Sequence, residues 1–268
     1  MQVSNVKLGI GVPNNFPYVP SAFLDSFILM EKPPFIYLRS SSTHDLAELR
    51  NKIVQEALKH GCTHLLMMDS DQIYQKDTIS RLMEHHKKIV GCLVNRRYPP
   101  FDPLLLMGDI GHYQLKKDWR EGEMVTVDAT GTGCLLFETQ LFREMDKAAQ
   151  EKIDKWNAVK PSNDEIAYLP ENVQAYIRGL EERYEPEHVP GRYFQFRKDK
   201  NGRPIGEDIG FCSDIRKLGY DIYVDTSCTA GHISTVLVTM DTYRLFSCLD
   251  EAKAKYEAEH GVGTVRAA

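Results

Sequence analysis

The sequence predicts an α/β protein with a mostly parallel central sheet flanked by helices. Two apolar runs, Leu65–Met68 and Ile89–Val94, have the composition of strands buried on both faces, which is typical of parallel sheets. Stretches with helical spacing, such as Lys76–Lys88, separate the strands. Strands and helices are therefore expected to alternate as far as Val94. Because helical crossovers join parallel strands, this alternation predicts a parallel sheet.

Composition limits the class of protein. The 268 residues are 42% hydrophobic and 26% charged, as in ordinary globular proteins, and the net charge of -5 argues against nucleic-acid binding. We expect no transmembrane segment and no signal peptide, since no apolar run is long enough and the first residues lack the basic-then-apolar order. The six cysteines form no Cys-x-x-Cys pair, so we expect reduced thiols and a cytoplasmic protein.

The first strand and the elements after it follow from local patterns. Val6–Val12 alternates and is rich in β-formers, and it leads into the turn Pro13-Asn14-Asn15. Ser21–Met30 has helical spacing and precedes two prolines that end the helix. Phe35–Leu38 is predicted to be the second strand.

A long helix is predicted from Ser42 to Gly61. Its first residue and Asp45 have capping-box spacing, with Asp in place of the usual Glu. Arg50 lies on the apolar stripe of this helix, and a buried guanidinium needs a carboxylate partner. The nearest acidic pair along the chain is Asp69 and Asp71, which we expect to supply it. The alternative is that Arg50 extends along the edge of the stripe to solvent.

The Asp69-Ser70-Asp71 motif follows the buried strand Leu65–Met68. Parallel sheets bind ligands at the carboxyl ends of their strands, so the carboxylates lie where a site is expected. Two close carboxylates suit Mg²⁺ or Mn²⁺, with phosphate oxygens completing the coordination. The alternative is a simple turn, because Asp and Ser favour turns.

The pattern changes after Val94. A basic, proline-containing loop, 95–103, precedes predicted strands at Leu104–Met107 and Met124–Asp128. Thr130-Gly131-Thr132-Gly133 then leads into the apolar run Cys134–Phe137. The glycines allow the backbone to approach a ligand closely, or they form a bulge in a strand.

Ala148 to Pro204 is predicted to be an irregular insertion. It is charged and contains five prolines, and long insertions of this kind are usually functional lids or partly mobile. Before it, Thr139 is expected to cap a helix that runs through Met145. Within it, Tyr193–Phe196 is expected to form a short strand.

Gly206-Glu207-Asp208 opens a predicted helix that runs to Leu218. Acidic residues in the first turn are favoured by the helix dipole, so capping is the alternative to a functional role. Tyr220–Val224 is the next predicted strand, and His232 follows a glycine turn. From Tyr243 onward, we expect a charged amphipathic helix and a tail.

Together these motifs resemble the GT-A fold glycosyltransferases, especially the family 2-like enzymes of bacteria and phages. The matching motifs, in order, are Arg50-Asn51, Met68-Asp69-Ser70-Asp71, Thr130-Gly131-Thr132-Gly133-Cys134, Gly206-Glu207-Asp208 and His232. The resemblance implies a single domain over 1–268. Its halves would be a nucleotide-sugar half (1–107) and an acceptor-side half (108–242) with a variable insertion at about 148–204, followed by a C-terminal helix and tail (243–268).

The resemblance implies a Mn²⁺ or Mg²⁺ ion that bridges the diphosphate of a UDP- or GDP-linked sugar donor. Asp71 would bind this ion, while Asp69 would contact the ribose or reach the ion through water. His232 matches a position that supplies a further metal or phosphate contact. Ser70, between the two carboxylates, would belong to the donor site.

Further roles follow from the same resemblance. Pro13 and Asn14 would lie beside the nucleotide base, and Arg50 would orient the Asp pair. Asp208 matches the catalytic base of inverting members, with Glu207 as its neighbour. The acceptor would be a glycan or another hydroxyl compound. In such a transfer the ion stabilises the leaving diphosphate, and a carboxylate accepts the proton of the acceptor hydroxyl.

The sequence departs from the family's pattern in two respects, and three other classes of protein are alternatives to a glycosyltransferase. The chain lacks the Gln-x-x-Arg-Trp motif of processive members, and Asp214 lies on the Glu207 helix in place of a basic residue, so a processive synthase is disfavoured. Haloacid-dehalogenase-like phosphatases also use Asp-x-Asp, but on their first strand and with Thr or Val at the position of Ile73. A nucleotidyltransferase would need a Gly-rich basic loop after the first strand, and a non-catalytic sugar-binding domain would keep the fold without turnover.

Overall fold

The central sheet contains eight strands in the computed structural model, which describes residues 6–41, 45–162, 166–184, 189–199, 201–234 and 238–260. Two short hairpins, β6–β7 and β10–β11, lie outside it. The strands are β1 (Leu8–Asn14), β2 (Phe35–Ser41), β3 (His64–Met68), β4 (Gln72–Tyr74), β5 (Ile89–Val94), β6 (Leu106–Met107), β7 (Gln114–Leu115), β8 (Met124–Val127), β9 (Cys134–Glu138), β10 (Arg197–Lys198), β11 (Pro204–Ile205) and β12 (Ile222–His232).

Helices cover both faces of the sheet. No helix in the described ranges is long and apolar enough to pass through a lipid bilayer. The helices are α1 (Ser21–Leu29), α2 (Leu46–Lys59), α3 (Thr78–Glu84), α4 (Gln140–Val159), α5 (Glu171–Tyr184), α6 (Glu207–Lys217) and α7 (Met240–His260).

The strand order β2-β1-β3-β9-β5-β12-β4 gives a mixed sheet, with β8 pairing along β12. Strands β2, β1 and β3 are parallel, as are β5 and β12, whereas β9 runs antiparallel between β3 and β5. This confirms the predicted α/β class. The antiparallel β9 brings its first residue to the edge at which the parallel strands end.

Strand β3 shows why the sheet is buried on both faces. Leu65 and Met67 join the core beneath α2, α4 and α6, while Leu66 and Met68 join the core beneath α1 and α3. All four side chains are fully buried, as the uninterrupted apolar run predicted. Burial of each such side chain contributes about 1.5–3 kcal/mol. This burial holds β3 in place and so fixes the position at which the following carboxylates leave the sheet.

Helix α2 begins later than the sequence predicted. Asp45 is the N-cap, and its side chain accepts a hydrogen bond from the Glu48 N–H at 2.9 Å. The helix therefore starts at Leu46, and Ser42 lies outside the described residues. Gly61 follows the helix with a φ of +65°, in the left-handed region that glycine favours.

The predicted irregular insertion contains two well-formed helices, so that prediction is wrong. Helix α4 continues far beyond Met145, to Val159, and α5 follows. The buried side chains of α4 lie in its first half, and they are Leu141, Phe142, Met145 and Ala149. Thr139 does not cap α4, because its hydroxyl donates to the Cys62 carbonyl at 2.6 Å.

The segment predicted as a strand at Tyr193–Phe196 has another structure. The Asn51 side chain donates to the Phe194 carbonyl and accepts from the Phe194 N–H, both at 2.9 Å. These bonds satisfy the Phe194 backbone without a neighbouring strand. Gln55, one turn along α2, donates to the Gly191 carbonyl at 2.9 Å. Two side chains of α2 therefore fasten the end of the insertion to the helix.

Candidate functional site

The candidate site residues gather at one edge of the sheet. Strands β1, β3, β5 and β12 end there, and the antiparallel β9 begins there. The first residues of α2 and α6 face the same edge. Each helix is followed by a strand, β3 or β12, that ends at this edge, so the helix before it begins there. One edge thus carries the carboxylate motif, the glycine motif, His232 and the acidic start of α6.

Arg50 links the carboxylate motif to α6. It is 2% exposed, and its Nη2 donates to Asp69 Oδ1 at 2.8 Å and Oδ2 at 3.0 Å, while Nη1 donates to Glu207. The expected pairing with the motif is confirmed for Asp69, and the alternative of a solvent-exposed guanidinium is wrong. Burial alone would lower the pKa of Arg50, but the two carboxylates raise it above its ordinary value.

Glu207 serves this ion pair and is not available to a substrate. Its side chain is buried, and it contacts the Arg50 guanidinium. Removing Arg50 would leave both Glu207 and Asp69 without their buried counter-ion. The sequence prediction placed Glu207 beside the catalytic base, whereas the structure gives it a positioning contact.

Asp71 lies at the solvent side of the motif. Its carboxylate accepts from Nη2 of Arg97, and its backbone carbonyl accepts from the Ile233 N–H at 2.7 Å. Burial, followed by the charge of Asp69, raises the pKa of Asp71, and Arg97 opposes that rise. The sequence analysis missed Arg97, although the basic composition of loop 95–103 was a signal.

Gly133 is required where β9 begins. Its carbonyl accepts from the Asp69 N–H at 2.8 Å, and the Tyr74 hydroxyl also donates to it at 2.8 Å. A Cβ at Gly133 would lie 2.3 Å from Gln72 Nε2 and 2.8 Å from Asp69 Oδ2. The glycine motif therefore allows its backbone to lie close to the carboxylate motif. Neither interpretation from the sequence, approach to a ligand or a bulge in a strand, specified this contact.

His232 uses both ring nitrogens within the protein. Nδ1 donates to the Asn95 carbonyl at 2.6 Å, because a carbonyl only accepts. Nε2 then accepts from Gln72 Nε2 at 3.0 Å. His232 is the last residue of β12, and Gly231 before it lies in the strand and not in a turn as predicted. A metal contact through Nε2 would require Gln72 to leave this nitrogen.

Gln72 is a site residue that the sequence analysis missed. It is 1% exposed and follows the carboxylate motif directly. Its Oε1 is buried and has no hydrogen-bond partner among the described residues. Its position next to Asp71 was the available signal.

Asp208 stands in the first turn of α6, beside the Arg50 ion pair. Its Oδ1 accepts from the Ile209 N–H at 2.8 Å, while the N-cap is Gly206, which has no side-chain cap. Burial and the charge of Glu207 raise the pKa of Asp208 to about 6, and Arg50 opposes the rise. A carboxylate with this pKa is ionised at neutral pH and accepts protons more readily than an ordinary one.

A cavity of about 360 Å³ opens beside Asp71. Pro13, Ser70 and Arg97 line it, and so do two aromatic residues, Phe16 and Tyr18. These rings are 56% and 69% exposed and stack with centroids 5.9 Å apart. The volume is in the range of small-molecule sites.

Asn14, which the resemblance places beside the base, is directed into its own loop and does not line this cavity. Its Nδ2 donates to the Tyr18 carbonyl at 3.2 Å, and its Oδ1 accepts from the Phe16 N–H at 3.1 Å. The side chain is buried and shapes the loop. The neighbouring Asn15 lines the cavity in its place.

A divalent ion would find an incomplete ligand set in the protein alone. Among the described residues, no group of three or more His, Cys, Asp and Glu side chains is arranged to hold an ion. Asp71 and Asp69 nevertheless supply hard oxygen atoms, and both carboxylates are partly exposed. These residues fit Mg²⁺ or Mn²⁺ if phosphate and water oxygens complete the coordination.

The sheet order and this edge define a class of fold, α/β with a mixed central sheet. Comparisons with protein-family models and with curated proteins found no match. Among solved structures, the chain is similar to A197 from STIV, with 14% identity, a TM-score of 0.46 and 85% of each chain covered. At this identity and TM-score, no residue role is carried over.

Two further structures are similar over about half of their own length. S. aureus TarS 1–349 has 17% identity and a TM-score of 0.36, over 53% of this chain and 49% of that chain. GalNAc-T7, crystallised with UDP, GalNAc and Mn²⁺, has 10% identity and a TM-score of 0.45, over 90% of this chain and 47% of that chain.

Proposed function

We propose that the protein is a metal-dependent glycosyltransferase that moves a sugar from a UDP- or GDP-linked donor to an acceptor hydroxyl. The observation that carries this proposal is the cavity beside Asp71. It combines carboxylates suited to a divalent ion, a guanidinium suited to phosphate and two exposed aromatic rings suited to a base. The donor therefore finds all three kinds of contact in one place.

The donor's groups are assigned to residues of this cavity. Phe16 and Tyr18 stack on the base, and Pro13 borders it. Asp71 would hold Mn²⁺ or Mg²⁺, with Asp69 acting through water, while Ser70 and Arg97 would contact the diphosphate. When bound, the ion stabilises negative charge on the leaving diphosphate. His232, through its contact with Gln72, supports the motif from the side of β12.

Asp208 is proposed as the general base of an inverting transfer. It accepts the proton of the acceptor hydroxyl as that oxygen attacks the sugar carbon. Arg50, by holding both Asp69 and Glu207, fixes the distance between the donor motif and the helix that carries the base. This buried pair therefore positions the two halves of the reaction.

The acceptor side is proposed at the groove between α2 and the end of the insertion. A cavity of about 260 Å³ lies there, lined by Asn51, Phe194 and Phe196 among others. Phe196 is 55% exposed, and exposed aromatic rings suit stacking on sugar faces. A glycan or another hydroxyl compound is the acceptor class that fits.

A phosphatase reaction is less consistent with this geometry. In that alternative, Asp69 would be the nucleophile of the Asp-x-Asp loop. Both Asp69 oxygens accept from the buried Arg50, and this charge pairing makes them weaker nucleophiles than those of a free carboxylate. Turnover assays with nucleotide sugars also separate a transferase from a non-catalytic sugar-binding domain.

Asp71→Ala is expected to abolish Mn²⁺-dependent binding of UDP or GDP while the fold survives. The carboxylate is partly exposed, so its loss removes an ion ligand without opening the core. Calorimetric titrations with and without Mn²⁺ measure the effect. Asp118→Ala, at an exposed carboxylate on another loop, is the control. Equal nucleotide affinity of the parent protein with and without metal would remove the basis of the metal assignment.

Phe16→Ala is expected to weaken binding of the nucleotide by about 5- to 100-fold, because aromatic stacking on a base contributes about 1–3 kcal/mol. Pyrophosphate, which has no base, should bind as before. Tyr168→Ala, which removes a 90% exposed ring elsewhere, should change neither affinity. An equal loss for UDP and pyrophosphate would show that the ring does not contact the base.

A further inference from the structure

Loop 95–103 has fixed ends and an exposed tip. The Asn95 side chain donates to the Phe101 carbonyl at 2.8 Å, and the buried Phe101 ring packs on Phe246 of α7 with centroids 4.8 Å apart. Residues 96–100, between these anchors, are exposed. The loop therefore presents its tip from a rigid base.

Arg97 projects from this tip and contacts Asp71. The other carboxylate of the motif, Asp69, is also paired with an arginine, but the two pairs differ in exposure. The Arg50 side chain is 3% exposed, whereas that of Arg97 is 43% exposed. The inner pair is costly to break, while the outer pair exchanges with solvent ions at little cost.

Two cations therefore compete for one carboxylate. Because Arg97 Nη2 is hydrogen-bonded to Asp71 Oδ2, a divalent ion bound to either oxygen of this carboxylate would lie close to the guanidinium and bring two positive charges together. A guanidinium displaced from a carboxylate needs another anion, and its planar donors match phosphate as well as carboxylate. The diphosphate of a donor would supply that anion in the same cavity, which Arg97 already lines.

We propose that Arg97 is an exchangeable counter-ion, which leaves Asp71 for the diphosphate when a divalent ion takes its place. The inference rests on the proposed function, because it assumes a diphosphate and an ion in this cavity. Arg97 holds the site closed to metal alone and makes the ion and the diphosphate bind cooperatively. By linkage, each ligand then raises the affinity for the other by the same factor.

Calorimetric titrations of the intact protein with MnCl₂ alone, with pyrophosphate alone and with MnCl₂ at saturating pyrophosphate test this exchange. The association of Mn²⁺ with pyrophosphate in buffer is measured separately and subtracted. Arg97→Gln should bind Mn²⁺ alone about 2- to 5-fold more tightly, since an exposed ion pair no longer competes. The same variant should bind pyrophosphate with Mn²⁺ about 10-fold more weakly or worse, since a charged hydrogen-bond donor is lost.

Arg96→Gln is the matched control, because it makes the same change of charge one residue away on the exposed tip. It should leave both affinities within about twofold, and Arg97→Lys should recover part of the loss. Mn²⁺ affinity that is unchanged or weaker in Arg97→Gln overturns the exchange while the donor site stands. A parent protein that binds neither Mn²⁺ nor pyrophosphate overturns both the exchange and the proposed function.

Discussion

Asp208→Asn is expected to lower turnover by about 10²–10⁴-fold while donor affinity stays within about twofold. The amide keeps the shape of the side chain but cannot accept a proton. In the parent protein, the raised pKa of Asp208, about 6, adds a second signature. The base must be ionised, so turnover should rise with pH up to about 6 and then level off. Steady-state rates across this pH range measure both effects.

The control for this variant is Asp221→Asn, which removes an exposed carboxylate near the other end of α6. It should leave turnover unchanged. If Asp208 only supports the first turn of the helix, its replacement costs about 1 kcal/mol of stability and turnover stays near normal. A product with retained anomeric configuration would refute the inverting mechanism whatever the variant does.

Arg50→Leu is expected to lower the free energy of unfolding by about 3–5 kcal/mol and to weaken donor binding. From the sequence alone, this change is expected to spare the helix, because it makes the stripe more apolar. The structure shows where the cost arises: Asp69 and Glu207 lose the charge that compensates their burial. Urea unfolding measures the loss of stability, and nucleotide titration measures donor binding.

Lys52→Leu is the control on the same helix, since Lys52 is exposed and forms an i,i+4 pair with Glu48. It should change stability by less than about 0.5 kcal/mol. Combining Arg50→Leu with Glu207→Gln should recover part of the loss, because one uncompensated charge is removed. A loss below about 1 kcal/mol in Arg50→Leu alone would contradict the assignment of Arg50 as a buried counter-ion.

Local patterns predicted β3, β5 and β9 well, because burial on both faces leaves an uninterrupted apolar run, but they missed the short strands β4, β7, β10 and β11. They predicted less of the sheet order, since pairs such as Met68 with Cys134 depend on contacts between distant segments. The insertion was misjudged for a different reason. Its prolines and charges outweighed the 3.6-residue spacing that places Met145 and Ala149 on one buried face of α4.

The candidate site was predictable where one residue requires a partner of opposite charge. A charged residue in an apolar stripe requires a partner, and this reasoning led from Arg50 to Asp69. The second partner, Glu207, lies 157 residues away, and no local pattern marks it. Gln72 was also missed, because its only sequence signal was its position next to Asp71, and an amide there is not distinctive by itself.

The attachment of the insertion to α2 has a consequence for how such a chain could be re-engineered. Asn51 and Gln55 fasten residues 194 and 191, while Arg50, next to Asn51, holds the donor motif. One helix thus holds both the carboxylate motif and the end of the insertion, which under the proposed function are the donor and acceptor sides, whatever number of residues lies between α4 and the fastened segment. Exchanging that intervening stretch for one of another length should therefore alter acceptor choice and leave the donor half in place.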